Sequence, residues 1–177
     1  MTHTQYYDSP LGRMLMAADG AALTGLWFEG QKHFARTLTE QHAEGDLPVF
    51  AETAAWLDMY FAGQNPGPVP PLALHGSDFR LAVWDALLTI PRGSVTTYGD
   101  ISRRIAAERG LSRMSAQAVG GAVAHNPISV IVPCHRVVGT GGSLTGYAGG
   151  IARKQALLRL EGVDLSRFFV PKTGTAL

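Results

Sequence analysis

The stretch Ile128-Ser129-Val130-Ile131-Val132-Pro133-Cys134-His135-Arg136-Val137-Val138 narrows what this chain can become more than any other. Its β-branched residues favour an extended, buried conformation, and Asn126-Pro127 in front and Gly139 behind punctuate it. The pattern predicts a central apolar strand. A thiol, an imidazole and a guanidinium interrupt that strand. Cys134 is the only cysteine, and a lone cysteine in apolar sequence is more often packed and inert. His135 and Arg136 argue for reactivity, because a purely structural strand has little use for two polar groups there.

An unperturbed thiol has a pKa of about 8.5 and is weakly ionised at neutral pH. An imidazole steered by a carboxylate can take its proton and leave a strongly nucleophilic thiolate. His135 is nearest in sequence, yet adjacent side chains of an extended strand point to opposite faces. Either the chain turns sharply at Pro133-Cys134 or a water links thiol to imidazole. Glu161, at the end of the only long helix predicted after the motif, is the carboxylate nominated to orient His135.

The length of 177 residues suits one large or two small domains with ample core. No 18-residue apolar run and no basic-plus-apolar leader occur, so a soluble, cytoplasmic protein without membrane contact is expected. One cysteine forms no internal disulfide and rules out a Cys-rich zinc site. The net charge of +1 conceals a division: residues 1–77 carry three Lys/Arg against eight Asp/Glu, residues 78–177 twelve against six. The C-terminal half is therefore the candidate nucleic-acid face.

Two apolar runs, Arg13 to Ala18 and Ala22 to Phe28, meet across Asp19-Gly20 as a β-hairpin in an antiparallel meander. Phe50, Ala54, Leu57, Tyr60 and Phe61 at helical spacing, followed by Gly63, predict a helix over 50–62. His3, His33 and His42 are scattered and read as solvated. This α+β unit, residues 1–76, is expected to be a scaffold, ending in a Pro-rich linker at about 63–76. A second domain, 77–177, opens with a helix capped at Ser77 and striped with Phe79, Ala82, Val83, Ala86, Leu87 and Ile90. Two brief helices follow, Ile101 to Ala107 and one that begins near Ser112 to Ser115 and runs to His125. They fit a helix-turn-helix with a smooth recognition helix, or equally a pair packed tightly through Gly120-Gly121. The last helix, Ile151 to Glu161, is read with Ala156, Leu157 and Leu160 inward and Arg153, Lys154 and Arg159 partly outward. The tail after Pro171 is expected to be loose.

Pro133-Cys134-His135-Arg136-Val137 resembles the active-site motif of the DNA alkyltransferases that repair guanine alkylated at O6, the methylated-DNA–protein-cysteine methyltransferases. Ile90 to Gly93 and Val95 to Ile101 are similar to the segment of that family's base-rotating tyrosine. Ala118 to Ala122 with His125-Asn126-Pro127 resembles its recognition helix and turn. Leu144 to Gly150, Arg153-Lys154 and Leu157 to Gly162 continue the likeness to the last helix. The Tyr-Asp-Ser-Pro-Leu-Gly opening resembles bacterial members.

The resemblance implies a ribonuclease-H-like N-terminal domain, a mostly helical C-terminal one, and a suicide repair protein with no cofactor and no metal. Cys134 would accept the alkyl group from O6-alkylguanine, and O4-alkylthymine is an expected second substrate. His135 would act as base through a water, with Glu161 behind it. Asn126 would brace the turn. Tyr98 would rotate the base and give a proton or hydrogen bond to the departing guanine. Tyr147, Ala148, Val137 and Lys154 would form the base pocket. Gln117 occupies the position where most members carry an intercalating arginine, and it is shorter and uncharged. Ala118, Gly120, Gly121, Ala124, Arg103, Arg104 and Arg136 complete the expected contacts to duplex DNA, reached through the minor groove with the base flipped out. A monomer is expected in solution, with side-by-side binding on DNA left open. The rival readings are a DNA-binding regulator with Cys134 as an alkylation or redox sensor, which lacks a ligand or dimerisation element, and a cysteine hydrolase, which would want a roomier cleft.

Overall fold

Turn chemistry builds the first sheet. In the computed structural model, which describes residues 1–172, β1 (Thr2–Ser9) and β2 (Gly12–Ala18) pair antiparallel, and Ser9 Oγ donates to Gly12 O at 2.6 Å across their turn. β3 (Leu23–Phe28) pairs antiparallel with β2 through the predicted Asp19-Gly20 turn, where the Asp19 carboxylate accepts from the N–H groups of Ala21 and Ala22. β4 (His42–Glu44) then joins β1 in parallel, giving the order β3-β2-β1-β4. The sheet is mixed rather than the antiparallel meander expected. The chain crosses from one edge to the other after β3, and a three-residue exposed strand leaves no alternation to read. α1 (Pro48–Phe61) begins two residues before the expected start, with Pro48 in its first turn, and buries Phe50, Leu57 and Tyr60. His42 is exposed as expected, but the ring of His3 packs beside Gly45, where a Cβ would lie 2.7 Å from its Cδ2.

The Pro-rich segment is pinned. Leu23 N–H donates to Pro71 O at 2.8 Å and Ala73 N–H to Leu23 O at 2.9 Å, so prolines that cannot donate still serve as acceptors beside β3. Residues 127–129 lie along β3 in the same manner, through Leu26 N–H to Pro127 O and Ser129 N–H to Leu26 O, both 2.8 Å. Met1–His75 and Pro127–Ile131 accordingly form one compact unit, and Gly76–Asn126 with the chain from Val132 onward form the other.

In the second unit Ser77 caps α2 (Asp78–Leu88), which buries Val83, Trp84, Ala86 and Leu87. β5 (Thr96–Thr97) leads into α3 (Tyr98–Glu108), three residues earlier than the apolar pattern predicts, because Thr97 and Asp100 close a reciprocal capping box. Ser115 caps α4 (Ala116–Ala124), and the Trp84 indole N–H donates to Ala122 O at 3.0 Å, tying α2 to that helix. β6 (Val137–Val138) pairs in parallel with β5, and α5 (Ile151–Leu160) follows. Lys154 on α5 is fully buried, which corrects its expected outward placement: its ammonium has carbonyl partners inside. Apart from Lys172, the tail beyond Pro171 lies outside the described residues.

The predicted central strand is not a strand. Ile131 N–H bonds Ser129 O at 2.8 Å about Val130 at φ +70°, and Cys134 N–H bonds Val132 O at 2.8 Å about Pro133 at φ −82°, ψ 62°. Pro133 thus centres an inverse γ-turn, and Val130 a γ-turn of the strained, positive-φ hand that β-branched residues avoid. Cys134–Arg136 then form one 3-10 turn before β6. β-branched content signalled burial correctly, but proline without a donor cannot continue a ladder. Replacing Trp84 by Phe should lower unfolding stability by about 1–3 kcal/mol in urea titrations, since it removes the indole donor to the Ala122 carbonyl, which keeps only the His125 N–H at 3.2 Å, and loosens the α2–α4 contact.

Candidate active site

The chain takes the sharp turn at Pro133-Cys134, so the thiol and imidazole are not splayed across a strand. Cys134 is 4% exposed. The side-chain amide of Asn126, just after α4, donates to Val132 O at 2.8 Å and to Cys134 Sγ at 3.1 Å, clamping both ends of the γ-turn. Burial pushes the Cys134 thiol up. The Asn126 hydrogen bond and the Lys154 ammonium pull the other way without overcoming it. At rest the sulfur is therefore a neutral thiol.

His135 is completely buried, with Nε2 2.7 Å from Glu161 Oε1. Burial lowers its basicity, and the contact with Glu161 opposes that shift. Burial alone would raise Glu161, but hydrogen bonds from His135 and Arg136 outweigh it and hold the carboxyl well below the usual range. With Glu161 ionised, Nε2 must carry the hydrogen, which makes Nδ1 the basic nitrogen of the ring. Arg136 donates from Nε to Glu161 Oε2 at 2.9 Å, from Nη2 to Oε1 at 2.8 Å and from Nη1 to Ile90 O at 2.6 Å. Its side chain is 12% exposed. The expected DNA contact through Arg136 is thereby corrected: the 3-10 turn directs the guanidinium inward, onto a carboxylate that needs it.

Around the thiol the loop before α5 meets the start of α3. Tyr98 Oη donates to Thr145 O at 2.9 Å, and Lys154 Nζ donates to the same oxygen at 3.0 Å and to Val137 O. Burial, then the neighbouring Cys134, raises Tyr98, and burial brings Lys154 down to about 8. Tyr147 is buried with its ring edge-on to His135 at 6.4 Å between centroids, and Ala148 is partly exposed beside it. Gly146 is dictated by this packing: its φ is +80°, and a Cβ there would sit 2.5 Å from Tyr98 Oη.

α4 turns Val119, Ala122 and Val123 inward and leaves Gln117, Ala118 and Gly121 exposed, with Ala124 partly so. A Cβ at Gly121 would meet nothing within 4 Å, whereas one at Gly120 would touch the Tyr98 ring at 3.8 Å. The helix is thus smooth on its open side at Gly121 and within ordinary contact of Tyr98 at Gly120. Arg103 and Arg104 point outward from α3 but pair with Asp100 and Glu108 along their own helix.

The profile of the 6-O-methylguanine DNA methyltransferase DNA-binding domain matches residues 78–163, and that of the same proteins' ribonuclease-like domain matches residues 2–68. The methylated-DNA–protein-cysteine methyltransferase of Mycobacterium tuberculosis is 44% identical over 161 residues, covering 91% of this chain and 93% of that one. The enzyme of the same name from Haemophilus influenzae is 39% identical, covering 88% and 84%. This chain belongs to the methylated-DNA–protein-cysteine methyltransferase family. Among solved members, the Mycobacterium tuberculosis OGT in complex with DNA superposes with a TM-score of 0.78 at 43% identity, covering 94% of each chain.

Of the residues that the family motifs marked, Cys134, His135, Asn126, Glu161, Tyr98, Tyr147, Lys154 and Val137 converge through direct contacts or shared partners, and Gln117, Ala118 and Gly121 form a separate open face. Sequence reasoning missed Thr145, whose carbonyl is the common acceptor of Tyr98 and Lys154. A backbone oxygen has no sequence signature, though the Gly146 beside it hinted at close approach. Glu161 has its pKa depressed by folding, so its stabilising contribution is complete above about pH 4.5 and fades as pH falls toward the folded value. Glu161→Gln should therefore cost about 3 kcal/mol at pH 7, and this deficit should shrink by about 1–2 kcal/mol at pH 3 in paired urea titrations.

Proposed function

We propose that this chain repairs duplex DNA by moving a methyl or larger alkyl group from O6 of guanine to Cys134, once and irreversibly. The observation that carries the reading is the hydrogen-bonded series Arg136–Glu161–His135 beside a buried thiol whose sulfur is also held by Asn126. His135 takes the thiol proton, through a bridging water. The sulfur attacks the alkyl carbon, the S–C bond forms as the C–O6 bond breaks, and the departing guanine takes a proton from the Tyr98 hydroxyl, which is reprotonated from solvent as His135 releases the proton it took. The product is a thioether, which has no proton to lose and no easy leaving group, so the acceptor is consumed.

A thiol this buried cannot reach a stacked base, so the guanine must leave the duplex. The bare α4 surface around Gly121 suits close approach in the minor groove, with Gln117 filling the vacated place in the stack. O4-alkylthymine presents an analogous alkyl oxygen and is the expected second substrate. The protein acts as a cytoplasmic monomer without a cofactor.

Incubation with duplex DNA containing O6-methylguanine should add one methyl mass to the tryptic peptide of Cys134, stoichiometrically, and nothing in Cys134→Ala. Tight binding with unmodified protein would instead indicate a sensor or regulator, and multiple turnover would indicate a hydrolase. Gln117→Arg should tighten binding to the alkylated duplex by roughly threefold to tenfold, read by fluorescence anisotropy; unchanged affinity would place Gln117 outside the stack.

A further inference from the structure

We propose that Arg136 is a positioning residue for alkyl transfer, acting through Glu161 on His135 and making no contact with DNA. This inference rests on the alkyl-transfer reading above and assigns a part of the same site.

The geometry is specific. Glu161 sits at the end of α5 with a fully buried side chain, and its oxygens accept from His135 and Arg136 at 2.7–2.9 Å and from the Gly93 N–H at 3.5 Å. Arg136 donates as a fork, Nε to Oε2 and Nη2 to Oε1, while Nη1 is anchored on Ile90 O just beyond α2. A bidentate fork fixes the plane of a carboxylate, which a single hydrogen bond does not. In that plane Oε1 faces His135 Nε2, and the ring tautomer with basic Nδ1 follows. Glu161 is thus held from both sides, by a reacting imidazole and by an arginine that stays charged.

Charge leads to the same assignment. An ionised carboxylate alone beside His135 would favour the imidazolium, which cannot accept a thiol proton. Burial is the largest cause that keeps His135 a neutral base, and the Arg136 cation adds to it in the same direction, against Glu161. The other groups facing His135 agree with this: Lys154 from α5 is a second cation, the Tyr147 ring is edge-on, and Cys134 precedes it in the chain. Lysine cannot replace the fork, since it offers a point charge. The interior also explains the choice of residue, because burying one member of such a pair alone is strongly unfavourable.

The test is single-turnover methyl transfer from an O6-methylguanine duplex at saturating protein, followed across pH, with duplex affinity measured separately at several salt concentrations. Arg136→Lys should fold, retain the affinity and salt slope of the wild type, and transfer roughly tenfold to a hundredfold more slowly at saturation. Arg136→Met should in addition move the acid limb of the rate profile to higher pH by roughly one unit, because removing a cation makes His135 easier to protonate. Arg136→Met may be checked against unfolding by the paired variant Arg136→Met/Glu161→Gln, which leaves no lone buried charge and should be no slower than Glu161→Gln alone, since the two residues act as a unit. A weaker affinity with a salt slope reduced by about 0.9 and an unchanged saturating rate would identify a phosphate contact and overturn the proposal. So would full activity in Arg136→Lys with an unmoved pH profile. Failure of the wild-type protein to take up any methyl group would overturn the alkyl-transfer reading itself, a result distinct from either.

Discussion

A single buried carboxylate holds the site of the second unit together. Glu161 is ionised where desolvation should neutralise it, and it stays so because an imidazole and a guanidinium both donate to it. The groups that meet there come from the 3-10 turn and from the end of α5, while the backbone that anchors Arg136 follows α2. Gly93 adds a constraint of its own: its φ is +78°, and a Cβ there would lie 3.1 Å from Glu161 O. That φ and that tight approach favour glycine, so Pro91-Arg92-Gly93 ends a helix and also brings the Gly93 N–H to Glu161 Oε2 at 3.5 Å.

The ionisation states around Cys134 follow from burial against few compensating charges. Folding raises the thiol, makes His135 less basic and brings Lys154 down to about 8. A thiol kept protonated is a poor nucleophile toward stray electrophiles, and it becomes a good one only where its proton has somewhere to go. For an acceptor used once, that distinction matters more than raw reactivity. A cysteine depressed far below neutrality would be modified by whatever reached it. In the proposed mechanism the thiol proton goes to His135, whose basicity burial lowers and Glu161 restores in part.

Much of this was legible in the sequence, and the parts that were not share a cause. Periodicity located α1, α2 and α5, and a capping residue marked Ser77. Ordered motifs from Tyr98 to Glu161 identified the family and marked residues that the fold brings together around Cys134. The apolar run around Cys134 was read as a strand because β-branched composition reports burial, and burial does not specify geometry. Two γ-turns within six residues depend on i-to-i+2 backbone bonds that leave no compositional trace. Arg136 and Lys154 were expected to face outward because charged residues usually do. Each is buried by a partner, Glu161 or a backbone carbonyl, that lies far away in sequence. The start of α3 was placed too late for a different reason: the capping box at Thr97 and Asp100 precedes the first apolar residue of the helix, so periodicity registers only after the helix has begun.

The placement of Tyr98 shows how the same small residues serve both packing and reaction. Its ring faces Gly120 of α4 and its hydroxyl faces Gly146, with the Thr145 carbonyl as hydrogen-bond acceptor. Any side chain at Gly146 would collide with the hydroxyl, whereas a Cβ at Gly120 would only reach ordinary contact with the ring. The Thr145 carbonyl accepts from Lys154 as well, so the oxygen keeps a partner if the tyrosine hydroxyl is withdrawn, and the loop keeps its anchor on α5. In the base-rotating role proposed for Tyr98, that second donor lowers the cost of moving the tyrosine and couples a buried lysine to it.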